Sequence, residues 1–287
     1  MVKNGPMTHL LTAAALAVLT AGGPAAASGS AAHNPPTQDQ ADQPSDRAVN
    51  PSQPDFTIIG LPTTLKIPRF ASAFRVTHRF TRALGAGDFG DLAADFFGFD
   101  AGAQIGLEYR FGIRSGTQIG IHRTSDRTIE FFAQQHLIEQ GQSPVGVDLI
   151  ATAEGTNNFR DSYSPAVGAV LSRTLGRHGA LYAHPIWINN TNELSSEIVD
   201  DNNTFIVGLG ARLRVRPTVY LVGEMIPRFG NTPNATHASF GIEKRSGGHS
   251  FQINFSNGFG TTMAQLARGG VASDTWYIGF NISRKFF

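Results

Sequence analysis

From residue 71 to the end of the chain, apolar and polar residues alternate in a series of segments that turn residues separate. In one segment Leu107 and Tyr109 share one face, while Glu108 and Arg110 share the other. This period of two is that of a β-strand with one face in an apolar medium. About twelve segments of about ten residues occur, which predicts an all-β fold, a transmembrane antiparallel β-barrel of about twelve strands.

The connections between these segments alternate in length. IRSG, EQGQS, GRHG, RP and SGG are tight, whereas GAGDFGDLAADFFGFD, GTNNFRDSY, NTNELSSEIVDDN, FGNTPN and NGFGTTMAQLARGGVASD are long. Only the link around Ser125 and Asp126 breaks the alternation. Outer-membrane barrels have short periplasmic turns and long external loops, so the pattern predicts that both ends of the barrel lie in the periplasm.

Charged residues on the polar face of the predicted strands are expected to line a water-filled lumen, because their burial in a dry core would cost much free energy. A soluble β-sandwich or lipocalin is the alternative fold, since both of these also alternate. The lumen-lining candidates are Arg75, Arg79, Glu108, Arg110, His122, Glu130, Asp148, Arg212, Arg214, Glu224, Glu243 and Arg245.

Three basic residues lie instead on the apolar face of their predicted strands: Arg173, Lys244 and Arg284. A charge at the bilayer midplane on that face would cost about 2–4 kcal/mol. Each of the three lies beside a tight turn or near the terminus, so each can extend to the periplasmic interface.

The residues before the barrel divide into three regions. Lys3, the apolar run from Leu10 to Gly22 and the A-x-A motif at Ala25 to Ala27 are typical of a signal peptide, with an ordinary N-terminal helix as the alternative. The predicted domains are a signal peptide at 1–27, a Pro-rich disordered linker at 28–55, a periplasmic lead-in segment at 56–70 and the barrel at 71–287. The sequence does not decide whether the lead-in enters the barrel mouth or runs beneath it.

The chain ends WYIGFNISRKFF, an aromatic terminus that would be unfavourable in water. In a barrel, the last strand closes against the first and its aromatic residues lie at the membrane interface. Trp276, Phe280, Phe286 and Phe287 resemble the C-terminal signal that barrel-assembly machinery recognises.

The segment from Ala71 to Phe287 resembles a bacterial outer-membrane β-barrel family of unknown function, domain of unknown function 5777. The stretches that carry the resemblance are FRVTHRFTR, FFGFDAGAQIGLEYRFG, QIGIHRTSDRTIEFF and GFNISRKF. The resemblance implies the fold and an outer-membrane location after export. It implies no reaction and no ligand.

Composition narrows the chemistry. The net charge of +1 argues against nucleic acid as a partner. The chain has no cysteine, which excludes disulfides, thiolate zinc sites and thioether-linked haem. No catalytic residue, cofactor or metal site is expected.

Two motifs suggest other chemistry, and the predicted strands argue against both. His78 and His122 could share a metal, but the alternation directs His78 outward and His122 into the lumen. His249 and Ser256, with Asn257 and Gly258, resemble the residues of an outer-membrane phospholipase, but one strand separates the pair by about 20 Å. The acidic long loops, such as that with Asp88, could bind divalent cations or simply be solvated.

The sequence predicts a narrow passive pore or uptake channel for small polar solutes. The alternative is a non-conducting barrel that anchors or assists another envelope protein through the Pro-rich segment, and a hydrolase is third. The expected partners are outer-membrane lipid and lipopolysaccharide, the barrel-assembly machinery, and a periplasmic or other envelope protein.

Overall fold

The computed structural model describes residues 50–192, 202–231 and 234–287. The predicted signal peptide, nearly all of the Pro-rich linker and the acidic residues Glu193, Glu197, Asp200 and Asp201 lie outside the described residues. The strands are β1 (Ser72–Phe80), β2 (Ala103–Arg114), β3 (Thr117–Thr124), β4 (Ile129–Ile138), β5 (Gly146–Gly155), β6 (Asp161–Thr174), β7 (Gly179–Ile188), β8 (Thr204–Arg216), β9 (Val219–Ile226), β10 (Arg228–Gly230), β11 (His237–Ser246), β12 (His249–Ser256) and β13 (Tyr277–Phe286).

Twelve of these strands close into an antiparallel barrel, which confirms the predicted fold. The first strand pairs with the last, with Ser72 opposite Phe286 and Arg79 opposite Gly279. The circle is completed by β8 and β9. The short β10 follows β9 after Pro227 and also pairs with β8. Closure leaves no long strand edge exposed, which a sheet in lipid requires.

The two faces of the wall have opposite chemistry. On β2, Leu107 and Tyr109 are 46% and 43% exposed, whereas Glu108 and Arg110 between them are 3% and 5% exposed. Apolar side chains therefore cover the outside and charged side chains lie inside, the reverse of a water-soluble domain. We call the end of the barrel with the short turns and both barrel termini the tight-turn end, and the other the long-loop end.

Short helices occur in the long loops. They are α1 (Phe89–Ala94), a 3₁₀ turn (Phe96–Gly98), α2 (Thr156–Phe159) and α3 (Met263–Arg268). Among the described residues, no helix has the length and apolarity needed to cross a membrane.

The predicted boundaries before the barrel need correction. Ser52, Gln53 and Asp55 are buried, although the sequence placed them in the disordered linker. Phe56, Ile58, Leu61 and Ile67 are buried too, so the lead-in at 56–70 does not run beneath the barrel. In the periplasm its apolar side chains would be exposed to water, whereas inside the barrel they are buried.

Candidate functional site

The segment before β1 lies inside the lumen as a hairpin, which we call the lumen hairpin (residues 51–68). Thr57 forms an antiparallel bridge with Pro62. At the turn, the Ile58 N–H donates to the Leu61 carbonyl at 2.8 Å. The Thr63 N–H also donates to the Phe56 carbonyl at 2.8 Å, and the backbone groups of the hairpin that remain need partners from the wall.

The hairpin enters the lumen from the tight-turn end. The Ser52 hydroxyl donates to the Gly176 carbonyl in the β6–β7 turn at 2.8 Å. The Tyr220 hydroxyl donates to the Pro51 carbonyl at 2.9 Å. These two contacts hold the start of the hairpin at the tight-turn end.

The tip of the hairpin binds a single carboxylate of the wall. Glu224 on β9 accepts hydrogen bonds from the backbone N–H groups of Ile59, Gly60 and Leu61 at 3.2, 2.9 and 3.1 Å. The Ser239 hydroxyl donates to the same carboxylate at 3.1 Å. Consecutive N–H groups that converge in this way form an anion-binding concavity. Glu224 therefore holds the tip by charge-assisted hydrogen bonds.

Other polar side chains of the wall donate to the carbonyls of the hairpin. Arg75 donates to the Ile59 carbonyl at 2.9 Å, and Arg212 donates to that of Thr57 at 2.8 Å. Further donors to hairpin carbonyls are Gln252 to Ile58 at 2.7 Å, Asn281 to Ile59 at 2.9 Å, His184 to Pro62 at 2.7 Å and Gln134 to Thr63 at 2.7 Å. The wall thus supplies the hydrogen bonds that the hairpin cannot make with itself.

The charges of the wall also pair with one another. Glu108 binds both Arg75 and Arg110, and Arg212 binds Glu243 at 2.8 Å. All five side chains are buried. The attraction within each ion pair therefore offsets the free energy that was needed to remove its two charges from water.

Asp55 links the base of the hairpin to the last strand. It accepts a hydrogen bond from the Ser283 hydroxyl and lies 3.8 Å from the Lys285 ammonium. Burial raises the pKa of Asp55, but Lys285, the Ser283 hydroxyl and Arg212 outweigh it and hold that pKa below its ordinary value. Asp55 therefore joins the base of the hairpin to Lys285 of β13.

One side of the inner wall is apolar. Its buried side chains on β5 to β9 are Ile150, Val170, Tyr182, Ile186, Ile188, Ile206, Tyr220, Val222 and Ile226. Ile58, Ile59 and Leu61 of the hairpin belong to the same core. The hairpin therefore turns its apolar side chains to this wall and its backbone polar groups to the charged side chains.

A second obstruction comes from the long-loop end. The β12–β13 loop folds inward, and α3 is buried except for its last residue. The Met263 N–H donates to the Glu130 carboxylate at 2.6 Å, and Arg268 binds Glu154 at 2.9 Å. Leu266 meets the hairpin tip, where a Cβ on Gly60 would lie 3.0 Å from its side chain. Glycine at the tip lets α3 and the hairpin make contact at mid-lumen.

Little space remains around these contacts. A cavity between the hairpin, α3 and the polar wall, lined by His122 and Glu130, has a volume of about 20 Å³. Another beside Asp55 has about 10 Å³. Each is about the size of one water molecule. Above α3, a polar vestibule of about 490 Å³, lined by Asp126 and Arg268 among others, opens at the long-loop end.

The structure places the predicted lumen residues on the inner face, with two at its rim. Arg75, Arg79, Glu108, Arg110, His122, Glu130, Asp148, Arg212, Glu224 and Glu243 are buried inside the barrel. Arg214 and Arg245 are only partly buried at the tight-turn end, where Arg214 donates to the Pro217 carbonyl at 2.9 Å. Arg75, Arg212 and Glu224 contact the hairpin, Glu130 binds α3, and Glu108, Arg110 and Glu243 form ion pairs, whereas the sequence suggested that these residues face water. Arg79 donates to Asn281 and Asp148 accepts from Gln134, so these two bind polar side chains of the wall.

The C-terminal aromatic residues do not share one environment. Phe286 is exposed on the outer face, Phe280 packs against His78 with ring centroids 4.8 Å apart, and Trp276 packs against Phe240. Phe287 differs from the expected interface position, because its ring packs edge-on against Phe56 of the hairpin. The last residue of the chain therefore also contacts the lumen hairpin.

The two alternative motifs do not assemble. His78 lies outside among phenylalanines, while His122 is buried in the lumen. His249 and Ser256 lie at opposite ends of β12, and the Ser256 hydroxyl donates to the Gly258 carbonyl at 2.6 Å. Within the described ranges, no group of three or more His, Asp or Glu residues could hold a metal ion.

The fold and its filled lumen define a membrane β-barrel whose own chain occupies the interior. The sequence matches the family described as a membrane-bound beta barrel domain, DUF5777, over residues 55–286, and the chain belongs to that family. The match begins at Asp55, so the family domain includes most of the lumen hairpin.

Solved porins resemble the structure at low sequence identity. The NanC porin is 8% identical with a TM-score of 0.49, over 76% of this chain and 99% of that one. A Rhodopseudomonas blastica porin variant is 14% identical with a TM-score of 0.34, over 64% of this chain and 55% of that one. This chain thus spans about half the length of the latter porin. No curated protein matches the sequence.

Proposed function

We propose that the protein is a closed barrel of the bacterial outer membrane that holds its N-terminal region at the periplasmic face, where this region contacts another envelope protein. The observation that carries the proposal is the apolar inner wall of β5 to β9, which the hairpin covers with Ile58, Ile59 and Leu61. Such a surface is unfavourable next to water, so it fits a permanently occupied lumen better than a passive pore.

The exit of the chain supports an anchoring role. The hydrogen bonds of Ser52 and Tyr220 fix the start of the hairpin at the tight-turn end. Residues 28–49 precede it directly and are rich in proline and poor in apolar residues, a composition typical of extended binding segments. Export by a cleaved signal and assembly through the C-terminal aromatic residues belong to the same proposal.

Removing the Pro-rich segment tests the anchoring role. We expect an affinity-tagged protein isolated from its native envelope to retain a defined partner that the deletion of residues 28–49 loses. The deletion leaves the hairpin intact, so both proteins should show the same heat-dependent gel shift of a folded barrel. Recovery of the same proteins with both versions would contradict the proposal.

A gated uptake channel is the second candidate. The polar vestibule above α3 favours it, because its 490 Å³ could admit a small polar solute from the long-loop end. Conductance of the folded wild-type protein in a planar bilayer separates the two. A closed anchor is silent at all solute concentrations, whereas reproducible current steps or solute-induced openings would favour the channel.

A further inference from the structure

The outer face of β11, β12 and β13 carries a groove that the lumen does not explain. Its volume is about 570 Å³, within the range of about 300–1,000 Å³ that small-molecule sites occupy. The walls of this groove, which we call the outer groove, are apolar: Ile242, Phe251, Ile253, Phe255, Phe280 and Ile282. Its shape and chemistry fit a hydrocarbon chain.

Basic side chains surround the tight-turn end of the outer groove. Lys244 lines the groove itself and lies opposite Phe251 in the sheet. On the neighbouring strands, His249 lies opposite Arg284, and their side chains approach to 2.8 Å between Nε2 and Nη1. Of the three cations on the apolar face of their strands, Lys244 lines the groove and Arg284 follows the lining residue Ile282 by two positions on β13, while Arg173 is on β6.

The charges around the groove have one sign. The carboxylates of the neighbouring strand β9 and of β11 itself, Glu224 and Glu243, are buried on the inner face. On the outward faces of β9, β11, β12, β13 and β1 as the structure describes them, no Asp or Glu occurs. This patch therefore attracts an anion at the level where the apolar groove ends.

We propose that the outer groove binds an anionic phospholipid of the inner leaflet, with an acyl chain in the groove and the phosphate between Lys244 and Arg284. Charge and position together identify this ligand. The cations lie at the tight-turn end, which the loop lengths assign to the periplasmic side, where membrane phosphates are those of phospholipids. The proposal holds whether the lumen is closed or conducts.

Charge substitution tests the phosphate contact. Detergent-folded protein is titrated with phosphatidylglycerol and, separately, phosphatidylcholine, and bound lipid is counted by native mass spectrometry. Each cation near an anionic headgroup contributes about fivefold in affinity, so Lys244→Gln with Arg284→Gln should weaken phosphatidylglycerol binding about 25-fold. The matched control is Arg173→Gln, an outward cation beside another tight turn, which should bind as the wild type does.

Filling the groove tests the acyl contact independently. Ile253→Trp places a large ring in the groove and should reduce binding of both lipids at least tenfold, while Leu149→Trp on the outer face of β5 should not. The gel shift verifies that each variant folds. Equal binding of the two lipids by the wild type, unchanged binding by the double charge variant, or an equal loss in either control would overturn the proposal.

Discussion

Leu61→Asp is expected to expel the lumen hairpin. Leu61 is fully buried in the apolar core that the hairpin shares with β5 to β9, and its side chain packs beside Gly208. An unpaired buried charge costs several kcal/mol, and about 3 kcal/mol already shifts a docked equilibrium more than a hundredfold. Backbone amides of residues 56–64 should then exchange with solvent at least a hundredfold faster, as hydrogen exchange with mass spectrometry can measure.

The same variant should also change conduction. A vacated hairpin leaves space beside α3, so small current steps should appear in a bilayer where the wild type is silent. Leu61→Met is the matched control, because it keeps the volume and apolarity of the side chain and should leave both readouts unchanged. Hairpin amides that stay protected in Leu61→Asp would show that the apolar contact does not hold the hairpin.

Arg212→Ala is expected to cause the largest loss of stability among the wall charges. Arg212 is fully buried, pairs with Glu243 at 2.8 Å and donates to the Thr57 carbonyl. Its removal leaves a buried carboxylate without its cation, which typically costs about 3–5 kcal/mol. The free energy of unfolding in lipid vesicles, measured by urea titration, should fall by that amount.

Two controls separate this effect from a general loss of charge. Arg214→Ala, two residues along the same strand but at the rim, should change the free energy of unfolding by less than about 0.5 kcal/mol. Removing both partners, as Arg212→Met with Glu243→Gln, should recover much of the loss because no unpaired charge remains. Equal losses for Arg212→Ala and Arg214→Ala would mean that the buried pair has no special role.

The wall of this barrel could be predicted from its sequence because each strand has two chemically distinct faces. Leu107 and Glu108 already show which face meets lipid. Tight turns and long loops then give the number of strands and their direction. These signals are local, so they need no knowledge of what lies inside.

The content of the lumen could not be predicted in the same way. The island FTIIGLPTTLKIP has no regular period, and its partners are contributed by strands far along the chain. The sequences of β7 and β9 nevertheless indicate an occupied lumen, because Tyr182 and Val222 make the inner face of these strands apolar as well as the outer face. Thr262 and Gln265 also form a capping box, which indicates a helix start in the loop.

The binding partners of the lumen charges could not be predicted from the alternation alone. Burial cost suggested that charges on one parity must face water. In the structure, Arg75 and Glu224 instead satisfy the backbone of an inserted hairpin. The alternation therefore predicted that these charges lie inside the barrel, while the groups that they bind come from a distant segment of the chain.

The most direct test of the occupied lumen is an engineered disulfide between the hairpin and the wall. The chain has no cysteine, so a single pair can be introduced cleanly. The hydroxyl oxygens of Thr64 and Ser172 lie 2.5 Å apart, close to the S–S distance of about 2.0 Å. Thr64→Cys with Ser172→Cys should form a nearly complete intramolecular disulfide in intact cells, whereas Thr64→Cys with Ser125→Cys, at the long-loop end, should not. Two free thiols in the Thr64 and Ser172 pair of a folded barrel would contradict the presence of the hairpin in the lumen.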